Sequence, residues 1–109
     1  MFSIFPIAIP NVSYLYLYPK PISMKLGEKR LIEICSNEMG IIPKEGTVFL
    51  FFNKDHDRIK LFYLDQTGSQ EIMKVLPQGG FLLPVASDDQ KYIKIEASKL
   101  SSLFRVSAG

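Results

Sequence analysis

The clearest pattern in the chain is a pair of apolar runs on either side of a short polar loop, within residues 47–65. The first run, 48–52, has five consecutive apolar residues, which is typical of a strand buried on both faces. The second run alternates, so that Arg58, Lys60 and Phe62 lie on one side of a strand. The loop between them is rich in Asn and Asp and suits a β-hairpin.

The rest of the pattern predicts further strands and two helices. Tyrosines alternate with Leu and Ser over residues 12–18, which is the period of a strand. Apolar residues over 22–39 recur at helical offsets, with Ser23 as a candidate N-cap and Gly40 at the C-cap. The other predicted elements are a third hairpin strand at 69–76, an edge segment at 81–84, a strand at 92–95 and a short helix at 97–104.

This order of elements predicts an α+β fold. We expect an antiparallel or mixed sheet of about five strands, with one long helix (about 22–39) packed on one face and a short C-terminal helix. The length of 109 residues predicts a single domain, 1–109. Within it, 1–11 reads as an apolar N-terminal arm that lies on the fold or on a second copy, and 105–109 as a frayed tail.

Composition and charge exclude few classes of protein. A charged fraction of 22% is ordinary for a globular protein, and a net charge of +2 permits an anionic partner without demanding one. Cys35 is the single cysteine, which excludes an intramolecular disulfide and indicates a buried thiol in a reducing cytoplasm. The N-terminus lacks a basic region and is broken by Pro6 and Pro10, so we predict neither a signal peptide nor contact with a membrane.

The acidic residues of the hairpin are weak candidates for chemistry. Asp55, His56, Asp57 and Asp65 could bind a metal, and with Lys60 they could serve a nuclease. A solvated turn is the favoured interpretation, because one histidine among loop carboxylates is sparse and no paired cysteines support zinc. We therefore predict no metal, no cofactor and no catalytic residues.

The basic residues of the hairpin form a candidate contact stripe: Lys54, Arg58, Lys60 and Lys74. Such side chains reach phosphates through charge and hydrogen bonds. The alternative is a solvated strand face whose cations pair with nearby carboxylates. On residue types alone this alternative is favoured.

A series of short motifs carries a resemblance to a known family. The motifs are G-x-x-F-x-F-x-N at 46–53, D-R-I-K-L at 57–61, D-x-x-G at 65–68, K-x-L at 74–76 and G-x-F-x-x-P at 79–84. In this order and spacing they resemble the accessory protein encoded by the second reading frame of IS-sixty-six class insertion sequences, the TnpB-type protein of that class. The likeness runs from about Val12 to Phe104.

The chain departs from that family pattern at positions where the family carries charge or indole rings. Ser23 and Leu26 stand where the family has an acid and a lysine, and Val75 replaces an arginine. Leu64 and Leu83 replace two tryptophans. Side chains suited to phosphate contact and base stacking are therefore lost.

The resemblance implies a non-enzymatic accessory protein of transposition, which acts through contacts with nucleic acid or with a separate transposase subunit. Its candidate contact residues are Arg58, Lys60, Lys74 and Lys54. Its candidate turn residues are Asn53, Asp57, Asp65 and Gly68. The main alternative is a structural or protein-interaction domain without nucleic-acid binding, such as a homodimer formed through the N-terminal arm or an open sheet edge.

Overall fold

The computed structural model describes residues 12–99, together with the backbone of two short N-terminal strands. The elements in chain order are β1 (Phe2–Ile4), β2 (Ile7–Ile9), β3 (Tyr14–Leu17), α1 (Glu28–Glu33), a π-helix (Ile34–Met39), β4 (Val48–Phe52), β5 (Arg58–Asp65), β6 (Gly68–Val75) and β7 (Ile93–Glu96). The π-helix continues α1 directly, which gives one helix of 12 residues. The predicted α+β class is confirmed.

The main sheet has five strands in the order β6-β5-β4-β3-β7. Only β3 and β4 run parallel to each other, and the other neighbours are antiparallel. β4 lies at the centre, and all five of its residues are buried. An unbroken apolar run suits this position because a central strand covered on both faces has no solvent side.

Side chains alternate between two apolar clusters, one on each face of the sheet. One face carries the helix and will be called the helix face; its buried residues are Tyr18, Leu31, Ile34, Cys35, Met39, Phe49, Phe51 and Phe62. The other face is built on alternate positions of the same strands, with Phe81 buried against it: Leu15, Leu17, Val48, Leu50, Phe52, Ile59, Leu61, Tyr63, Leu76, Phe81 and Ile95. The alternation predicted for residues 58–63 is therefore confirmed.

The helix begins later than the sequence predicts. It starts at Glu28 rather than near Ile22, and its N-cap is Gly27, which makes no side-chain capping bond. The hydroxyl of Ser23 instead accepts a hydrogen bond from the backbone N–H of Lys25 at 3.2 Å, within a turn. The N–H of Ile22 donates to the carbonyl of Phe52 at 2.9 Å, so this part of the chain extends alongside β4.

A buried lysine holds the non-helical turn before the helix. Lys60 is only 6% exposed, and its Nζ donates to the carbonyl oxygens of Met24 at 2.8 Å and Leu26 at 3.2 Å. A helix from residue 22 would use both carbonyls for its own hydrogen bonds, four residues further along. Nζ also lies 3.2 Å from Oε1 of Glu71 on β6, so the ammonium group is paired as well as hydrogen-bonded. An ammonium group is rarely buried without such partners.

The far end of the helix is tied to β3. The hydroxyl of Tyr18 donates to Oε1 of Glu38 at 2.6 Å, and Arg30 lies 3.5 Å from the other oxygen of that carboxylate. Burial, and then the bond to Glu38, raise the pKa of Tyr18 to about 12. Gly40 ends the helix with a φ of 75°, a left-handed conformation that favours glycine.

The terminal regions agree only in part with the prediction. Residues 97–99 form a 3-10 turn where a helix to 104 is predicted, and the remainder of that helix, like the predicted tail 105–109, lies outside the described residues. Residues 2–9 of the predicted arm contain an antiparallel pair, β1 with β2. Phe81 is buried and bonds to the hairpin loop rather than adding a strand of its own to the sheet edge. No helix among the described residues is long and apolar enough to cross a membrane.

Replacement of Lys60 tests whether its buried ammonium group holds this arrangement together. We expect Lys60→Met to lower the free energy of unfolding by about 2–3 kcal/mol, because two carbonyls and the partly buried Glu71 lose their partner. Arg58→Met is the matched control, since this exposed cation lies on the same face of the same strand, and we expect a change below about 0.5 kcal/mol. Urea denaturation of both variants measures the difference, and equal losses would contradict the account.

Cys35 offers a test of the helix packing. The thiol is fully buried and burial raises its pKa to about 12, so neither access nor ionisation favours reaction at pH 8. We expect no labelling of the folded protein by a thiol reagent, and complete labelling in denaturant. The chain has one cysteine, so the signal has a single source. Rapid labelling without denaturant would show that the helix does not cover this face.

Candidate partner-contact surface

The loop between β4 and β5 is held by the side chain of Asn53. Its Nδ2 donates to Oδ1 of Asp57 at 2.6 Å, and its Oδ1 accepts the backbone N–H of Arg58 at 3.0 Å. His56 adopts a φ of 59°, which a residue other than glycine rarely takes. The loop is therefore closed by its own side chains, as turn-forming Asn and Asp residues do.

A second turn, 77–80, packs against this loop. The N–H of Leu76 donates to the carbonyl of Asp57 at 2.8 Å, and the N–H of Phe81 donates to that of His56 at 2.6 Å. A Cβ atom on Gly80 would lie 3.1 Å from the His56 carbonyl oxygen, so a side chain there would need the loop to move. We call residues 53–58 and 77–80 together the hairpin end.

The turn between β5 and β6 lies at the opposite end of the hairpin. Oδ1 of Asp65 accepts the backbone N–H and the hydroxyl of Thr67, both at 2.7 Å. These hydrogen bonds hold the pKa of Asp65 below its usual value. Gly68 has a φ of 133°, where a larger residue would be strained.

The predicted basic stripe does not form as one surface. Arg58 is exposed at the hairpin end, and its guanidinium group makes no ion pair or hydrogen bond within residues 12–99. Lys60 shares its face but lies buried beneath residues 24–26, so it is not available to a partner in the folded chain. Lys74 is opposite Ile59 in the strand register, which places it on the other face of the sheet. The predicted alternation of β5 is confirmed. The strand pattern does not show, however, that residues 24–26 cover Lys60 on the helix face.

The hairpin end carries balanced charge. Lys54 and Asp55 are exposed at its tip, while Asp57 and Arg58 follow directly. A surface that binds nucleic acid through its phosphates is dominated by positive charge. The two acids at the hairpin end therefore argue against phosphate contact there.

An apolar groove of about 230 Å³ adjoins the hairpin end. Its lining residues come from three parts of the chain: Pro19, Pro21, Phe52, His56, Leu83, Pro84, Val85 and Ala86. Val85 is 96% exposed, and the neighbouring Leu82 is also exposed. His56 belongs both to the groove and to the loop that carries Lys54 and Arg58, so the groove and the charged residues are adjacent.

The acidic residues do not come together as a metal site. Asp57 precedes β5 and Asp65 ends it, so eight residues of extended strand, about 26 Å, separate them. Among the described residues, no group of three His, Cys, Asp or Glu side chains could hold a metal ion. The hypothesis of a nuclease that uses both carboxylates is wrong on this geometry.

One exposed group of side chains was missed by the sequence reasoning. Tyr14, Tyr16, Tyr92 and Lys94 lie together where β3 meets β7. The alternating tyrosines of residues 12–18 are the signal in the sequence, but the pattern alone indicates only a strand. Their exposure depends on where the helix crosses the sheet, which the local pattern does not contain.

Most motif residues of the hairpin have a structural place in this fold. Phe49 and Phe51 are buried beneath the helix, Lys60 binds the turn before it, and Asn53 closes the loop. The spacing of these motif residues is therefore explained by their structural roles in the hairpin.

The family described as IS66 Orf2 like protein matches residues 13–107, which is most of the chain. No curated protein matches the chain, and no solved structure matches it. The match includes β3, the helix, the hairpin and β7, and so covers the whole five-stranded sheet. The chain therefore belongs to the IS66 Orf2 like family and is an accessory protein of an insertion sequence.

Proposed function

We propose that this protein acts without catalysis, by binding a protein partner of the transposition machinery at its hairpin end. The partner of first choice is the separate transposase subunit. The observation that carries the proposal is the apolar groove beside two exposed cations, Lys54 and Arg58.

The groove supplies the apolar centre that protein interfaces need. Prolines form much of its wall, and the side chain of Val85 is almost fully exposed at its rim. Interfaces combine a buried apolar centre with a polar rim, and an arginine near the centre often contributes much of the binding energy. Arg58 does not line the groove, but it belongs to the same loop as His56, which does, so it lies beside the apolar centre.

The loop is also preorganised for binding. Its backbone is fixed by the side chain of Asn53 and by two hydrogen bonds to the chain around the 77–80 turn. A preorganised surface loses less conformational freedom when it binds. A partner with a carboxylate opposite Arg58 and an apolar residue in the groove fits this surface.

Nucleic acid fits the hairpin end less well than a protein does. Asp55 and Asp57 would face phosphates together with Lys54 and Arg58, and like charges repel. Lys60, which the sequence placed in the stripe, is already bound to two carbonyls and a carboxylate. Lys54 and Arg58 are therefore the proposed contact residues. Lys60 contributes to stability, and Lys74 lies on the opposite face of the sheet.

Capture of the transposase subunit encoded by the same element tests the proposal. We expect the double variant Lys54→Ala, Arg58→Ala, and separately Val85→Glu, to weaken capture by about tenfold or more, the scale of an interface hot spot. The matched control is Lys29→Ala, Lys44→Ala, which removes two exposed cations outside the hairpin end. We expect it to bind as the wild type does. A wild type that does not bind the transposase, or a control that loses as much binding, would contradict the proposal.

A further inference from the structure

We infer that the chain has a second binding surface, which takes unpaired nucleotides of single-stranded nucleic acid. It consists of three tyrosines and one lysine, which we call the tyrosine surface: Tyr14, Tyr16, Tyr92 and Lys94. This inference does not rest on the hairpin end, and each surface can fail its test without the other.

The strand register places these residues on the helix face of the sheet. Tyr16 is opposite Phe49 on β4 and opposite Lys94 on β7, so all three share that face. The helix covers Phe49 but leaves the outer part of β3 and β7 uncovered, where Tyr14 is 42% exposed and Tyr92 is 37% exposed. Two phenol rings therefore face solvent from a rigid sheet.

The rings support one another. Tyr16 and Tyr92 meet edge to face, with centroids 5.4 Å apart and planes at 79°. Tyr16 also lies 6.2 Å from the buried ring of Phe49, which anchors the group to the core. Edge-to-face pairs of this kind are favourable. Tyr92, although it precedes β7, is therefore held in place and does not need to be ordered by a ligand.

Positive charge lies beside the rings. Nζ of Lys94 is 4.1 Å from the ring centroid of Tyr14, and Lys91 is exposed one residue before Tyr92. The one acidic residue of β7, Glu96, is opposite Tyr14 in the strand register and so shares this face, where its carboxylate lies 3.8 Å from Nζ of Lys99. Bases that stack on the tyrosines would bring their phosphates within reach of these lysines.

The combination of exposed rings and lysines indicates single-stranded nucleic acid as the occupant. Bases stack on aromatic side chains with little dependence on sequence, and a positively charged surface follows the backbone. A duplex hides the faces of its bases, so it can use the lysines but not the rings. Tyrosine is also common at protein interfaces, but lysine is depleted there, so the lysines beside the rings favour nucleic acid over a protein.

The tyrosine surface and the hairpin end occupy different parts of the sheet. Tyr14 begins β3, whereas the hairpin loop follows the end of β4, and these two strands run parallel. Tyr14 therefore lies toward the opposite end of the sheet from the hairpin loop, whereas Tyr92, which precedes the antiparallel β7, lies toward the same end as the loop but two strands away. The two surfaces share no residue, so each can be altered without the other.

Binding of a fluorescently labelled 12-nucleotide oligo-dT, followed by anisotropy at low salt, tests the inference. We expect the wild type to bind it, and Tyr14→Ala, Tyr92→Ala to bind about tenfold more weakly or worse, since each lost stack is of that order. Tyr14→Phe, Tyr92→Phe keeps both rings and should bind as the wild type does. Lys94→Ala should weaken binding and reduce the salt dependence by about one phosphate contact. The chain has no tryptophan, so quenching of tyrosine emission reports stacking independently.

The control is Lys54→Ala, Arg58→Ala, which alters the hairpin end and should leave oligo-dT binding unchanged. Absence of binding by the wild type at low salt would overturn the inference, as would equal binding by the double alanine variant at the tyrosines. If the wild type does not bind oligo-dT but the Tyr14→Ala, Tyr92→Ala variant loses transposase capture, the inference is overturned. The tyrosine surface is then assigned to a protein partner. None of these results depends on whether Lys54 and Arg58 contact the transposase.

Discussion

The buried ammonium group of Lys60 is the interaction on which the rest of the arrangement depends. It joins three parts of the chain: β5, the turn at residues 24–26, and Glu71 on β6. A buried charge without partners would strongly destabilise the fold, so these contacts are needed wherever β5 is covered on this face. Its bonds to the carbonyls of Met24 and Leu26 also hold the turn that precedes the helix.

The helix covers the central part of one face of the sheet. From Glu28 it runs to Met39, where Tyr18 and Glu38 hold its end against β3. The apolar rings at the centre of the sheet lie beneath it, while the outer part of β3 and the neighbouring β7 remain open to solvent. The tyrosine surface is exposed because the helix ends beside Tyr18 and does not extend over the outer part of β3 and β7. The loop after β4 is closed by its own side chains.

The local patterns predicted the strands well, because side-chain alternation and turn residues lie within a few positions of one another. β4 as a doubly covered strand, the two hairpin turns and the alternation of β5 all follow from such patterns. The predicted helix start was wrong because residues 24–26 form a turn bonded to Lys60, 34 and 36 residues away, and no local pattern contains that contact. The candidate contact residues were also predicted only in part, because exposure depends on contacts between distant parts of the chain. Arg58 and Lys54 are exposed as expected, but the burial of Lys60 and the exposure of Tyr14 both depend on tertiary packing.

The central claim is that the ammonium group of Lys60 is enclosed by the turn at residues 24–26. Amine acetylation of the folded protein, read residue by residue by mass spectrometry, tests this most directly. Lys54, which is exposed in the hairpin loop, is the internal reference. The account predicts that Lys60 stays unmodified while Lys54 reacts, and that Lys60 reacts once the chain is unfolded in denaturant. Modification of Lys60 at the rate of Lys54 in the folded protein would contradict it.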